Sequence, residues 1–310
     1  MGNKATREGY GDALVELGKE RLFYVLDADL SKSTKTDKFQ KAFPDRFINC
    51  GIAEGNMVSV AAGIASTGVP VFASSFAMFA AGRAFEQIRN SVGYGALNVK
   101  ICATHAGITV GEDGATHQCN EDLALMRTIP GMTVMNPADN TEALAAVRAA
   151  LDINGPVYIR FGRCAVPEVT EGQTFEVGKG QLLRDGEDVT LVATGFMVHV
   201  AIEAAEKLAQ EGISAQVVNI HTIKPIDGEL LAKCAAKTGA VVTAEEHSII
   251  GGLGSAVCES LCETCPVPVL KVGVQDKFGR SGPVPDLLKL YGLTADDIVA
   301  KAKEAIALKK

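Results

Sequence analysis

Along nearly its whole length the chain alternates short apolar runs with segments whose apolar positions recur every three or four residues. The runs at 22–26, 47–50, 70–74, 99–104, 132–135 and 157–161 carry mostly Val, Ile, Leu, Phe and small residues. Continuous runs of this length read as strands buried on both faces of a sheet. Between them, 54–66, 79–90, 121–127 and 141–153 show helical spacing. Parallel strands need a crossover between them, usually a helix. The β-α-β-α order therefore predicts an α/β fold built on a mostly parallel, doubly wound sheet.

The pattern breaks at CAVPEVTEGQTFEV, where prolines, acids and Gly172 interrupt any period. Residues 164–178 are read as a linker, separating a domain at 1–163 from one at 179–310. The second domain repeats the class of the first without a visible sequence repeat. Its predicted strands are 189–194, 215–220, 240–245 and 267–274, and its predicted helices 198–211, 228–237, 254–262 and 295–308. The lysines that end the last helix suit the negative end of its dipole.

The composition narrows the function classes. The chain has 310 residues, 47% hydrophobic and 22% charged, which is a globular balance long enough for two cores. A net charge of −7 argues against a nucleic-acid binder with a generally basic surface. No apolar run reaches the roughly 18–20 residues that cross a bilayer, and the first residues lack the apolar core of a signal peptide. Met-Gly with Thr6 brushes a myristoylation pattern but opens into a plausible helix. Eight irregularly spaced cysteines suit reduced thiols, and a cytoplasmic location is expected.

Candidate chemistry concentrates where predicted strands end, the edge at which open α/β sheets bind ligands. The loop THAGITVGEDGATHQ (104–118) combines His105, His117, Glu112, Asp113, three threonines and three glycines. Its two histidines stand too far apart, without a local cysteine pair, to suggest a metal site. In NCGIAEGN (49–56), Glu54 opens a helix of small apolar residues. On local grounds it only complements the helix dipole. SSFAMF (74–79) ends in Phe76 and Phe79, a spacing usual for core residues and equally suited to walling a planar ring. Arg160, Arg163 and Arg7 can grip a phosphate or simply carry surface charge. The stretch IGGLGS (250–255) lacks the third glycine of a dinucleotide fingerprint and the Gly-Lys-Ser/Thr of a P-loop, so it reads as a tight strand-to-helix turn. Cys258, Cys262 and Cys265 read as buried thiols rather than metal ligands.

GIAEG, SSFAMF and above all THAGITVGEDGATHQ with Leu123–Arg127 resemble the pyrimidine-binding domain of transketolases. In the second half, IHTIKPID, TAEEHSIIGGLGSAV and VGVQDKFGRSGPVPDLL are similar to the C-terminal domain of transketolase and of 1-deoxyxylulose-5-phosphate synthase. The resemblance spans essentially the whole chain in order. It implies that Glu54 hydrogen-bonds the aminopyrimidine of thiamine diphosphate and drives its imino tautomer, the base for the thiazolium C2 proton. Such a Glu is expected to be partly buried with a raised pKa. By the same resemblance Phe79 stacks on the pyrimidine, Phe76 lines its pocket and Asp29 lies near the cofactor. His105, Asp113 and His117 touch substrate hydroxyl and carbonyl groups, while Arg7, Ser33 and Arg163 hold a sugar phosphate. His105 and His117 join Glu54 as the catalytic set.

Two departures and one absence qualify this. Ala106 stands where transketolases usually have Asp, and Gly82 where many have an aromatic residue. Nowhere is there a Gly-Asp-Gly followed some 25–30 residues later by Asn, the family's magnesium and diphosphate site. The expectation is a split enzyme: this chain as C-terminal subunit, a second chain holding magnesium and diphosphate, and an α2β2 assembly acting on phosphorylated sugars. No metal ligand set, nucleic-acid partner or membrane partner is expected for this chain. Other readings remain open: the small subunit of a 2-oxo acid dehydrogenase's decarboxylating component, a synthase joining pyruvate to a sugar phosphate, and a non-catalytic relative.

Overall fold

The computed structural model describes residues 3–309 and contains two main sheets flanked by helices. The first has seven strands in the order Thr222–Lys224, Thr133–Met135, Val157–Arg160, Val99–Thr104, Val71–Phe76, Tyr24–Asp27 and Phe47–Asn49. Its last six strands are parallel, so their carboxyl ends share one edge. The second sheet runs Val269–Val274, Val241–Ser248, Val189–Ala193, Ala215–Asn219 and Gln181–Arg184, parallel except for the last. This is the expected α/β class.

Both faces of the first sheet are covered for different reasons. On one, the helix Thr6–Glu20 packs on Asn140–Asp152, and Tyr10, Phe23, Phe39, Phe72 and Phe161 fill the space. Tyr10 stacks on Phe161 at 4.9 Å and shares a 2.5 Å hydrogen bond with Ser74 Oγ. A Cβ on Gly9 would stand 2.8 Å from the Asn140 carbonyl, so glycine sets how closely these helices approach. On the other face lie Glu54–Ala65 and residues 78–93, whose alanines 61, 62, 80 and 81 let helix and sheet pack closely.

Several elements depart from the sequence-based expectation. The helix expected over 79–90 is two π-helical turns, Met78–Arg83 and Ile88–Gly93, around the short helix Phe85–Gln87. The wider π turns shift side chains off helical spacing, a feature frequent at functional sites. Ala165–Val166, in the expected linker, pairs antiparallel with Lys4–Ala5. The strand Thr222–Lys224 crosses from the second half and adds an antiparallel edge to the first sheet. The thiols of Cys258, Cys262 and Cys265 were expected to be buried; Cys262 is exposed and the other two half-buried, because they lie toward the outer side of helix Leu253–Thr264. The 250–255 turn is close-packed: Glu245 accepts from the Leu253 and Gly254 N–H groups, and any Cβ on Gly252 would overlap its carboxylate.

The two halves meet on a buried polar seam. Asn136 N–H donates to the His221 carbonyl, and Lys224 Nζ donates to the carbonyls of Arg127 and Ile129. Glu142, on the first helix layer, accepts from Ala138 N–H at 2.6 Å and from Asn219 Nδ2 at 2.8 Å across the seam. Burial pushes the Glu142 carboxyl up to about 8, against an ordinary 4.5. The folded chain thus holds a proton that the unfolded chain releases. The stability this contributes is present below about pH 4.5 and is lost as pH rises toward 8. Glu142→Gln is expected to flatten the fall in melting temperature between pH 6 and 8. A slope equal to that of the parent would contradict a proton held at this seam.

Candidate active site

Every residue of the site arises at the carboxyl edge of the first sheet. The strand Val71–Phe76 delivers Phe76 and, one turn on, Phe79. The strand Val99–Thr104 delivers His105, and the loop that follows returns with His117. Phe76 stacks on the His105 imidazole at 3.8 Å and lies near-parallel to Phe79 at 5.8 Å. His117 meets Phe79 edge-on at 5.2 Å. The four rings form one continuous wall, Phe79 half-buried at its open end.

Glu54 begins the helix after Phe47–Asn49 and is 2% exposed. Arg83, at the end of the π turn, places Nη1 2.9 Å from both carboxylate oxygens. Its guanidinium carbon also lies 4.5 Å from the Phe79 ring centre, over the face. Sequence reasoning missed Arg83, since a regular helix hides the spacing that the π turn creates. The pairing is informative about what fits here. A planar group with N–H donors rests on Phe79 and addresses a buried carboxylate, the demands an aminopyrimidine also makes.

At the other end of the wall the chemistry is cationic. Arg7, from the first helix, donates Nη1 to the Ser33 carbonyl at 2.9 Å and to His105 Nε2 at 3.0 Å. Because guanidinium only donates, Nε2 carries the lone pair and the His105 proton sits on Nδ1, facing Thr104 Oγ1 at 2.9 Å. Burial, then the charges of Arg7, Arg163 and Lys35, lower the His105 pKa to about 3. Arg163 donates to the Val110 carbonyl at 2.6 Å and approaches Glu112 at 3.4 Å. Arg7 Nε is buried with no protein partner.

The remaining sequence-nominated residues spread outward. Asp113 is exposed at the rim of the 104–118 loop. Asp29 is exposed, adopts φ +65° and accepts from Asn49. Its neighbour Asp27 is the buried one, accepting from Thr34, Thr36 and the Leu30 N–H, and so fixes the turn that carries Ser33. Arg160 was read as a possible phosphate anchor; the structure overturns this. It is buried, bonded to Asp122 at 2.9 Å and to the Cys119 and Glu246 carbonyls, and has no reach into the site. Among the described residues, no three His, Cys, Asp or Glu side chains are grouped to hold a metal ion.

Comparison with known proteins decides the family. The model of the transketolase pyrimidine-binding domain matches residues 3–168, and that of the transketolase C-terminal domain matches 178–298. The chain belongs to the transketolase family. It is 52% identical over 306 residues to a putative transketolase C-terminal section of Methanocaldococcus jannaschii, covering 97% of this chain and 96% of that one. It is 48% identical over 300 residues to the 6-deoxy-6-sulfo-D-fructose transketolase subunit SqwH of Clostridium sp., covering 96% and 93%. A solved structure described as a split gene transketolase, inactive beta4 tetramer, superposes with a TM-score of 0.91 at 57% identity, covering all of both chains.

Transketolases depend on thiamine diphosphate, and the departures of this chain from the family pattern have local causes. At Gly82 a Cβ would fall 2.1 Å from Met78 Cε, so an aromatic side chain has no room unless Met78 moves. Ala106 is buried and its backbone bridges to Cys119, so a carboxylate at this position would have to be desolvated. His105 is held neutral by burial, with its neighbouring cations adding to it. Its ring ¹⁵N resonances are therefore expected to stay those of a neutral Nδ1–H tautomer from pH 8 down to pH 5. A titration near 6.5 would show that the Arg7 contact does not set its state.

Proposed function

We propose that this chain is the C-terminal subunit of a split, thiamine-diphosphate-dependent transketolase that moves a two-carbon ketol unit from a ketose phosphate to an aldose phosphate. The observation that carries the reading is the ring-shaped site itself: buried Glu54 beside the Phe79 face, with a cationic pocket at the far end of the same aromatic wall. The relatives' names, a C-terminal section and a split-gene product, support the division between chains.

When bound, thiamine diphosphate supplies the nucleophilic carbon that takes up and hands on the ketol unit. Glu54 Oε accepts from and shares a proton with the ring edge, and Phe79 sets the ring plane. His105, neutral with Nε2 turned toward Arg7, orients substrate oxygen by hydrogen bonding rather than by carrying charge. His117, edge-on to Phe79, lines the adjoining space. Arg7 and Arg163, with the Ser33 turn, hold the anionic tail of the sugar. Asp113 at the rim contacts its hydroxyls, and Asp29 lies toward the cofactor.

Magnesium and the diphosphate fall to a partner chain, since no Gly-Asp-Gly…Asn pattern occurs in this sequence. An α2β2 assembly in the cytoplasm is the arrangement we favour. The sulfo-sugar named for one relative and the apulose 4-phosphate named for another support an anionic sugar as the substrate class.

Glu54→Gln is expected to abolish ketol transfer by the chain assembled with a Gly-Asp-Gly partner while preserving its circular dichroism and melting curve. Undiminished turnover would remove Glu54 from the mechanism. Arg163→Ala is expected to raise KM for phosphorylated sugars at least tenfold, the loss of about 1.4 kcal/mol from a charge-assisted bond. Unphosphorylated analogues should be nearly unaffected. Equal effects on both classes would take the tail-binding role from Arg163.

A further inference from the structure

The ring site described above has an occupant of its own. Arg83 lies with its guanidinium carbon over the Phe79 face, 4.5 Å from the ring centre, and with Nη1 2.9 Å from both oxygens of Glu54. A guanidinium and an aminopyrimidine share a shape and a donor pattern: both are planar, and both carry N–H groups on one edge. They cannot rest on the same face of one ring and address the same carboxylate at once. We propose that Arg83 is a positioning residue that holds Glu54 in place of the aminopyrimidine and must withdraw before that ring can bind. The proposal rests on reading Glu54 and Phe79 as the ring site.

Two further observations bear on it. Glu54 is 2% exposed and, among the described residues, Arg83 is the side chain that satisfies it. A carboxylate so deeply buried is strongly disfavoured without a partner, so Glu54 needs a stand-in whenever no ring faces it. The Arg83 side chain is itself 52% exposed, which leaves it an outward path into water. It also follows Gly82, whose missing side chain leaves only the flexible end of Met78 close by. The anchored end of the pair is therefore the carboxylate and the free end is the arginine. The same pairing explains how a chain carrying half of a cofactor site keeps its buried acid compensated until the other half arrives.

The test uses the full chain without any partner and 4-amino-5-hydroxymethyl-2-methylpyrimidine as the probe, titrated by calorimetry or by ligand-observed NMR. Arg83→Ala is expected to bind the probe about tenfold more tightly than the parent, because no internal competitor remains. Adding Glu54→Gln to Arg83→Ala should remove that gain. Affinity unchanged or weakened by Arg83→Ala, with binding still lost in Glu54→Gln, would overturn the stand-in and leave the ring site intact. Absence of saturable binding to the parent and to both variants would overturn the ring site and the stand-in together. Thermal melts give an independent reading. Arg83→Ala should lower the melting temperature by about 3 °C in the parent and by less than about 1 °C in the Glu54→Gln background. Equal losses in the two backgrounds would mean that Arg83 acts through something other than Glu54, and would also overturn the proposal.

Discussion

A buried cation has to be answered on every side, and Arg160 is the cation on which this molecule turns. It ends a central strand of the first sheet with its side chain 4% exposed. Asp122 takes its Nε, the Cys119 and Glu246 carbonyls take Nη2, and Tyr158 donates to the same aspartate at 2.7 Å. Cys119 and Asp122 follow directly on the 104–118 loop, Tyr158 lies on Arg160's own strand, and Glu246 lies on the strand Val241–Ser248 of the second sheet. Removing the Asp122 carboxylate would leave charge stranded in the interior. The loop that carries His105 and His117 is thus fastened at its far end to both sheets.

The near end of that loop is fastened through its backbone. His105 has φ +56°, and Gly107, Gly111 and Gly114 have φ between +75° and +81°. At Gly107 the positive φ combines with a close approach, because a Cβ there would lie 2.4 Å from Glu246 Oε1. That carboxylate accepts from the Thr109 N–H at 2.5 Å, and burial raises its pKa to about 7. The second half therefore supplies more than a surface to pack on. It contributes a buried acceptor that shapes the loop presenting His105 to Phe76 and Arg7.

What the sequence made legible follows from which forces are local. Apolar runs and helical spacing are local, and they marked most strands of both sheets and most helices within a residue or two, although Val241–Ser248 runs three residues past its expected end. Phe76, Phe79, His105 and His117 stand out at strand ends, Glu54 stands out only through the family resemblance, and the structure brings these five together with Arg7. Long-range pairing was not legible. Nothing in Thr222–Lys224 announces that it joins the other half's sheet, because antiparallel edge pairing depends on where the second half docks. The π turns at 78–93 share their composition with an ordinary helix, so Arg83 could not be placed against Glu54. Asp27 and Asp29 are equivalent in DADL. Only the three-dimensional turn makes the first a buried acceptor and the second an exposed side chain. Arg160 and Arg163 differ by the same logic, one sealed by Asp122 and the other left at the rim.

The electrostatic arrangement of the site follows from these anchors. An aromatic wall separates a carboxylate end from a cationic end, and each end is buried enough for its charges to act strongly. At the cationic end the arginines do two things with one charge. They would suit an anionic group, and together with burial they keep His105 unprotonated, so that its ring adds a directional hydrogen bond without adding repulsion among cations. A protonated histidine there would bring like charge against Arg7 at 3.0 Å and lose the acceptor that Arg7 now uses. At the carboxylate end the requirement is reversed, since Glu54 needs a donor in front of it at every stage. The two sides of Phe76 thus carry separate charge balances, and a substitution on one side can alter its charge without disturbing the other.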